Sequence, residues 1–171
     1  AGVNGENYGP DERVDWLTMR GFEPVQYIDG LQSSIGSIAN TGLDLYGAQS
    51  VEILKGPSSA LYGLTPPGGI VNVTSRRPDE EFGGELEAQY GNRDHVQVNG
   101  TVTGALSDSV SARLTALYRD RGTQTFDVKS ERLYIAPAVT FKPGEDTSFT
   151  LLSFYQDDEI NGDGGGFLPS Q

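Results

Sequence analysis

The 171-residue sequence contains no cysteine, one histidine and few basic residues. The lack of cysteine excludes disulfides, thiolate nucleophiles and cysteine-based zinc sites. The 12 basic residues stand against 24 acidic ones, and this net charge of −12 argues against binding to nucleic acid, which needs a basic surface. A catalytic triad would have to combine His95 and Asp94 with a serine that no motif places, so we predict neither a catalytic residue nor an enzyme.

Long apolar runs are also missing, and none approaches the roughly 18 residues of a membrane-spanning helix. Apolar residues make up only 36% of the chain, which indicates a polar interior or a solvent-filled cavity rather than a large dry core. Glycine and proline are frequent, with 23 and 9 residues, as is typical of a β-rich protein with many tight turns.

The two halves of the chain have different patterns, and the change falls after residue 80. In residues 1–80, short strand-like runs alternate with turn residues, and a short helix is predicted between Asp44 and Ser50. A second helix is predicted to open at Gly56-Pro57, because proline suits the first helical position. The strand-like runs are residues 16–20, 25–28, 51–54 and 70–74. This half is therefore predicted to be a small mixed α/β domain.

Residues 81–171 contain five strand candidates in a regular antiparallel up-and-down meander. The candidates are residues 84–91, 94–105, 109–120, 131–142 and 147–157. In the second of them, Val96, Val98 and Val102 alternate with Gln97, Asn99, Thr101 and Thr103. Long strands with one apolar face are typical of outer-membrane barrels, where that face meets lipid. A soluble β-sandwich has the same period, but the polar face here runs the full length of the strands.

Three further features bear on the barrel interpretation. Aromatic residues lie near the strand ends, where membrane barrels carry aromatic girdles. They are Tyr90, Tyr118, Phe141, Phe154 and Tyr155. Pro137 lies inside the fourth candidate, where it removes a backbone donor. Five strands cannot close a barrel, for which about eight are needed, so the chain is expected to be incomplete or to need a partner.

Two loops have the glycines of a ligand-binding motif but lack the residues that the ligand needs. Residues 56–63 begin and end with glycine, as in a phosphate loop, but Leu64-Thr65 follows where lysine is required. Residues 157–168 begin like a calcium loop, but Glu159 and Leu168 occupy the third and twelfth positions. We therefore predict no nucleotide, metal or other cofactor.

Six phrases follow one another in the first half. They are residues 17–22 (LTMRGF), 27–31 (YIDGL), 51–57 (VEILKGP), 61–63 (LYG), 67–72 (PGGIVN) and 75–78 (SRRP). In this order and spacing they resemble the plug of TonB-dependent outer-membrane siderophore receptors. Later phrases, at residues 133–138 (LYIAPA), 149–156 (FTLLSFYQ) and 167–169 (FLP), are similar to early barrel strands of the ferrichrome-type hydroxamate receptors. Pro137 belongs to this pattern.

The resemblance implies a mostly β fold. Residues 1–80 would be the C-terminal part of a plug domain, and residues 81–171 about the first five strands of a transmembrane β-barrel of about 22 strands. The implied function is TonB-dependent uptake of a ferric siderophore, with hydroxamates favoured, across the bacterial outer membrane. The implied partners are the ferric siderophore, the TonB–ExbB–ExbD complex of the inner membrane and outer-membrane lipid. Iron would enter as cargo, and the TonB-contacting peptide and later strands are not in this sequence.

The resemblance also assigns residues to the ligand. Arg20 matches an arginine that hydrogen-bonds the iron chelate in ferrichrome-type receptors, and a guanidinium offers fixed donors to hydroxamate oxygens. Tyr46 matches a ligand-contacting tyrosine at the plug apex. Ser33 and Ser34 fall on the apical segment that contacts ligand, where ferrichrome receptors have bulkier or amide groups, which argues against ferrichrome itself. The alternative is that Arg20 pairs with a plug carboxylate and Tyr46 only packs.

Two basic residues and four glycines complete the assignments. Lys55 and Arg77 match plug positions that face carboxylates on later barrel strands, which implies a latch that holds the plug until it is pulled. The glycines are assigned to turns with positive φ rather than to ligand contact. They are Gly56, Gly63, Gly68 and Gly69.

Two other functions stay open. The plug phrases are shared by TonB-dependent receptors for catecholate chelates, cobalamin or glycans, so only the loops and apices would separate these ligands. A soluble β-sandwich that binds carbohydrate is the second alternative, and it would be a compact monomer in buffer without detergent.

Overall fold

The computed structural model describes residues 3–4, 17–19, 21–33, 42–55, 67–122 and 128–161. Strands in the first half are β1 Val3–Asn4, β2 Thr18–Met19, β3 Val25–Ile28, β4 Leu31–Ser33, β5 Ala48–Lys55 and β6 Gly69–Ser75. Strands in the second half are β7 Gly83–Tyr90, β8 Val96–Ser107, β9 Val110–Gly122, β10 Lys129–Gly144, β11 Thr147–Leu152 and β12 Tyr155–Asn161. Within these ranges no helix is long and apolar enough to cross a membrane.

Four strands of the first half form a sheet with the order β4-β3-β6-β5, which we call the small sheet. Strands β3 and β6 are parallel, and the other neighbours are antiparallel. The β3–β4 hairpin turns at Asp29-Gly30, whose φ angles of 50° and 80° suit a tight two-residue turn. The Asp29 carboxylate accepts hydrogen bonds from the backbone N (2.9 Å) and Oγ (2.6 Å) of Ser75. These bonds fix the hairpin turn to the end of β6.

The predicted helix between Asp44 and Ser50 is shorter in the structure. It is a 3-10 turn over Leu45–Gly47, because the chain enters β5 at Ala48 and pairs with β6. The predicted strand at residues 16–20 is limited to β2, among the residues described there, and pairs with β1. The second predicted helix, from Gly56-Pro57, lies outside the described residues.

The strands of the second half form one antiparallel sheet, which we call the meander. Its order is β11-β10-β9-β8-β7, and β12 continues the line of β11 along β10. Two-residue turns at Asp108-Ser109 and Glu145-Asp146 lie at one end of the meander, which we call the short-turn end. The longer connections between strands lie at the opposite end, which we call the long-loop end. All five predicted strands are present. Strand β8 begins at Val96, however, so His95 lies in the connection before it and not on a strand face.

The two faces of the meander differ as the alternation predicted. One face is polar and buried, with Asn99, Thr101, Thr103, Ser111, Thr115, Ser130 and Thr140 each at most 8% exposed. The hydroxyls of Thr101 and Thr115 lie 3.0 Å apart across strands, so burial does not leave them without partners. The other face is apolar and exposed, and includes Leu86, Val98, Val102, Leu114, Leu133, Val139, Phe149 and Leu151.

Pro137 explains why the fifth predicted strand is divided into β11 and β12. The pairs Ile135–Tyr155 and Ala138–Leu152 keep one register, so the two strands are collinear. Between them Ser153 donates its backbone N–H to the Pro137 carbonyl at 3.2 Å, but proline has no N–H to return. Strand β10 itself continues through Pro137, which stays paired with Leu114 of β9. A proline is therefore tolerated here at the loss of one ladder bond.

The prediction that Phe154 belongs to an aromatic girdle is wrong. Phe154 shares the phase of Leu152 and Gln156 and stacks on Tyr134, with ring centroids 6.4 Å apart. Tyr134 lies on the polar, buried face of β10 and is 3% exposed. Phe154 therefore belongs to the inward face, because side chains alternate strictly along a strand and its parity is opposite to that of Tyr155.

Candidate functional site

The segment before β5, residues 42–47, lies against the polar face of the meander. Asp44 is 6% exposed, and its Oδ2 lies 3.1 Å from Nη1 of Arg132 in β10 and 3.3 Å from Nη1 of Arg119 in β9. The two arginine side chains are 13% and 16% exposed. One carboxylate from the first half of the chain is thus held between two guanidiniums of the meander.

Strand β12 completes this group. Arg132 also donates through Nε to Oδ1 of Asp158. The Gln156 side chain accepts from the backbone N of Asp44 at 3.0 Å and donates to the carbonyl of Gly42 at 3.0 Å. We call the five side chains the Asp44 cluster: Asp44, Arg119, Arg132, Gln156 and Asp158. Two carboxylates balance two guanidiniums, which is the condition for burying such charges.

The local conformation of residues 44–47 suits this position. Asp44 is the N-cap of the 3-10 turn, and its Oδ1 accepts the backbone N–H of Tyr46 at 3.0 Å. Gly47 ends the turn against the ring of Tyr134. A Cβ at Gly47 would lie 2.6 Å from Cζ and 2.8 Å from Cε1 of that ring, and closer still to its hydroxyl. Only glycine lets the backbone approach so closely.

Tyr46, a predicted ligand residue, lies between the small sheet and the meander. Its hydroxyl donates to Oε1 of Glu85 in β7 at 3.1 Å, and the Arg76 guanidinium lies 5.0 Å from its ring centroid. Burial raises the pKa of Tyr46 above the ordinary 10.0, and the neighbouring Glu85 carboxylate raises it further. This arrangement agrees with the packing alternative as well, so the ligand contact stays a prediction.

Residues 76–82 connect the two sheets and make a second set of contacts with the meander. Arg113 donates to Oδ2 of Asp79 at 2.6 Å and to the backbone carbonyl of Arg77 at 2.7 Å. Lys142 pairs with Glu80 near the short-turn end. The Asp79 and Glu80 side chains are 67% and 65% exposed, so water screens both pairs and each contributes little to stability.

The predicted latch residues take no part in the Asp44 cluster. Arg77 has an exposed side chain and contributes its carbonyl, and Lys55 is exposed at the end of β5. The partners that the resemblance predicts for them are carboxylates of later barrel strands, so the latch stays a prediction.

Ser33 lies at the end of β4 and lines a cavity of about 510 Å³ between the small sheet and strands β10 and β11. Asp29 and Arg76 line it on the first side, and Tyr134 and Leu152 on the other. The other predicted ligand residues, Arg20 and Ser34, lie outside the described residues, as do Gly56 and Gly63.

The two predicted turn glycines that the structure describes have different roles. Gly69 is the first residue of β6 and has a φ of 115°, a backbone conformation that residues with a side chain rarely adopt. Gly68 is buried, and a Cβ there would lie 2.8 Å from the carbonyl oxygen of Phe22. Its absence of a side chain thus permits a close backbone approach.

The sequence alone does not identify the Asp44 cluster. It predicts Asp44 only as the start of a helix. Arg119 and Arg132 occupy the polar phase of their strands, and a buried cation there requires a counter-ion. The alternation thus predicts that a counter-ion exists. It does not identify the carboxylate, because Asp44 and Arg132 are 88 positions apart in the sequence.

Comparisons with known proteins cover nearly the whole chain. Residues 1–70 match the model of the TonB-dependent Receptor Plug Domain. The chain is 33% identical to the ferrioxamine B receptor of Salmonella typhimurium, over 99% of this chain and 25% of that protein. It is 33% identical to the ferrichrome outer membrane transporter/phage receptor of Escherichia coli, over 99% of this chain and 24% of that protein.

Among solved structures, the chain is similar to the ferric-catecholate import receptor Fiu of Escherichia coli. The TM-score is 0.83 and the identity 27%, over 95% of this chain and 23% of that one. The chain thus spans about a quarter of the length of these relatives. All three are named as receptors or transporters.

Proposed function

Because this chain belongs to the family of TonB-dependent receptors, as its six phrases predicted, we propose that the whole protein takes up a ferric siderophore across the bacterial outer membrane. One observation carries the proposal furthest. Residues 42–47, in the first half of the chain, lie on the polar face of a long-stranded meander whose opposite face is apolar and exposed. That is the arrangement of a plug inside a membrane barrel, with lipid outside.

The proposed domain boundary lies after residue 80. The small sheet ends at Ser75, the meander begins at Gly83, and the intervening residues form the exposed connection. Residues 1–80 would then be the C-terminal part of the plug, and residues 81–171 the start of the barrel.

The proposed ligand site lies at the plug apex, with Arg20, Ser33, Ser34 and Tyr46. Arg20 would donate to the anionic oxygens that also hold the iron, and charge-assisted bonds of this kind are the stronger class. Iron is cargo in this scheme, and the protein needs no cofactor of its own. The position of Ser33 on a cavity beside the meander supports a role for this hairpin in enclosing a ligand.

The proposed energy source is the TonB–ExbB–ExbD complex, acting on a part of the plug outside this sequence. Pulling would rearrange the plug and release the chelate inward, with Lys55 and Arg77 latching the plug beforehand. Outer-membrane lipid would cover the apolar face of the meander.

A ferric hydroxamate is the favoured ligand. The receptors for ferrioxamine B and ferrichrome, both at 33% identity, are named for hydroxamate chelates. A catecholate chelate is the second candidate, because a ferric-catecholate receptor shares the fold at 27% identity.

The test uses the purified full-length receptor in detergent and titration calorimetry with a ferric trihydroxamate, a ferric tris-catecholate and cobalamin. We expect the trihydroxamate alone to bind tightly, and Arg20→Ala to weaken it by roughly 10- to 100-fold through loss of charge-assisted bonds. Lys142→Ala is the control: it removes one positive charge from a half-exposed side chain that pairs with Glu80 outside the proposed site, and should leave affinity unchanged. Tight binding of cobalamin or catecholate instead would refute the hydroxamate assignment, and equal effects of both variants would refute the site.

A further inference from the structure

Besides the exposed contact of Tyr46 with Glu85, two sets of polar contacts join the plug half to the meander among the described residues. Those of residues 76–82 involve side chains that are about two-thirds exposed, such as Asp79 and Glu80. Those of the Asp44 cluster are buried, with Asp44 and Asp158 at 7% and 9% side-chain exposure. Since ion pairs in water contribute little and broken buried pairs cost much, the buried set dominates the attachment.

Backbone contacts strengthen the same attachment. The Gln156 amide bonds both the N–H of Asp44 and the carbonyl of Gly42, each at 3.0 Å. Gly47 packs directly against the Tyr134 ring, where there is no space for a side chain. Charge, backbone hydrogen bonds and shape therefore hold the same short segment.

We propose that residues 42–48 are the anchor of the plug, the last part to leave the barrel wall when the plug opens, and that Asp44 is the residue that holds them. This proposal rests on the proposed function, because it assumes a plug that is opened inside a barrel. It differs from the predicted latch of Lys55 and Arg77 in polarity: the carboxylate is on the plug and the guanidiniums are on the wall.

The anchor predicts an order of opening. The hairpin of β3 and β4 and the parallel strand β6 would open first, while the backbone amides of Asp44, Tyr46 and Gly47 stay protected. When the Asp44 carboxylate is removed, two buried guanidiniums lose their shared counter-ion and the segment should open with the rest of the plug.

The experiment is hydrogen exchange with mass spectrometry on the full-length receptor in lipid nanodiscs, over increasing urea and without ligand. We expect the peptide over residues 42–48 to exchange last within the plug, and Asp44→Asn to speed its exchange by at least about 100-fold. Gln156→Ala removes the backbone clamp without changing charge and should speed it by about 10-fold. Asp79→Asn is the matched control, because it breaks the ion pair with Arg113 of the meander, which lies outside the anchor. It should leave the order in which the plug segments exchange unchanged.

Exchange of residues 42–48 together with β3 and β6 in the unaltered receptor would overturn the proposal. So would an unchanged rate in Gln156→Ala, a variant whose milder change keeps the test decisive if Asp44→Asn fails to assemble. Because no ligand enters the assay, its result is independent of which chelate the receptor takes up. The anchor could be confirmed even if the siderophore assignment failed, and the siderophore assignment could be confirmed even if the anchor failed.

Discussion

The close approach of Gly47 to Tyr134 allows a sharp test of the way the plug half is seated. In Gly47→Ala the new Cβ would lie 2.6 Å from Cζ of Tyr134, well inside van der Waals contact. The ring is 3% exposed and lines the cavity beside Ser33, but moving into that cavity would disturb its stacking on Phe154. Overpacking of this kind typically costs about 1–3 kcal/mol, so we expect the free energy of unfolding of the plug to fall by that amount.

The assay is urea unfolding of the full-length receptor in detergent, followed by near-ultraviolet circular dichroism, with the midpoint and slope giving the free energy. Gly144→Ala is the control, because no atom lies within 4 Å of the added Cβ, and it should change stability by less than about 0.5 kcal/mol. In a Tyr134→Leu background, which removes the outer ring atoms, Gly47→Ala should cost at least about 1 kcal/mol less. An equal cost in both backgrounds would refute the steric reasoning.

Three further predictions follow from buried groups and backbone pairing. Asp44→Asn should lower plug stability in the same urea assay by about 3–5 kcal/mol, against about 0–1 kcal/mol for the exposed Asp79→Asn; similar losses would contradict the burial argument. Tyr46 has a raised pKa, so its neutral form is favoured in the folded state, and stability should decline as pH rises above 10. Tyr46→Phe should remove part of that decline, and an unchanged profile would show that Tyr46 is not the group responsible. Pro137→Val should supply the missing donor to the Ser153 carbonyl and raise the free energy of unfolding by about 0.5–1.5 kcal/mol. The new bond should be detected as a slowly exchanging amide at position 137, and fast exchange there would contradict this prediction.

The meander could be predicted from the sequence because its signal is local. Alternation along Val96–Ser107 and Val110–Gly122, interrupted by Leu117 on the polar face, defines which side chains share a face, and the structure buries the polar face. The division at Pro137 is also a local effect, since proline lacks a donor. Phe154 was misplaced because nearness to a strand end carries less information than the phase of the residue in the alternation.

The contacts between the halves could not be predicted, because they join residues distant in sequence. Asp44 meets Arg132 across 88 positions. Gln156 donates to the backbone carbonyl of Gly42, a group that every residue carries and that gives no sequence signal. The contact of Gly47 with Tyr134 is hidden for the same reason, since a glycine after a turn has many uses. Tertiary packing alone selects these partners.

The central claim, uptake of a ferric hydroxamate, is tested most directly in the iron-starved host that carries the full-length gene. The gene would be deleted, and uptake of labelled iron measured from hydroxamate, catecholate and citrate chelates, with labelled cobalamin alongside. We predict selective loss of one ferric hydroxamate, restored by the intact gene but not by an Arg20→Ala copy. Unchanged iron uptake with loss of cobalamin uptake would contradict the claim while leaving the receptor architecture in place.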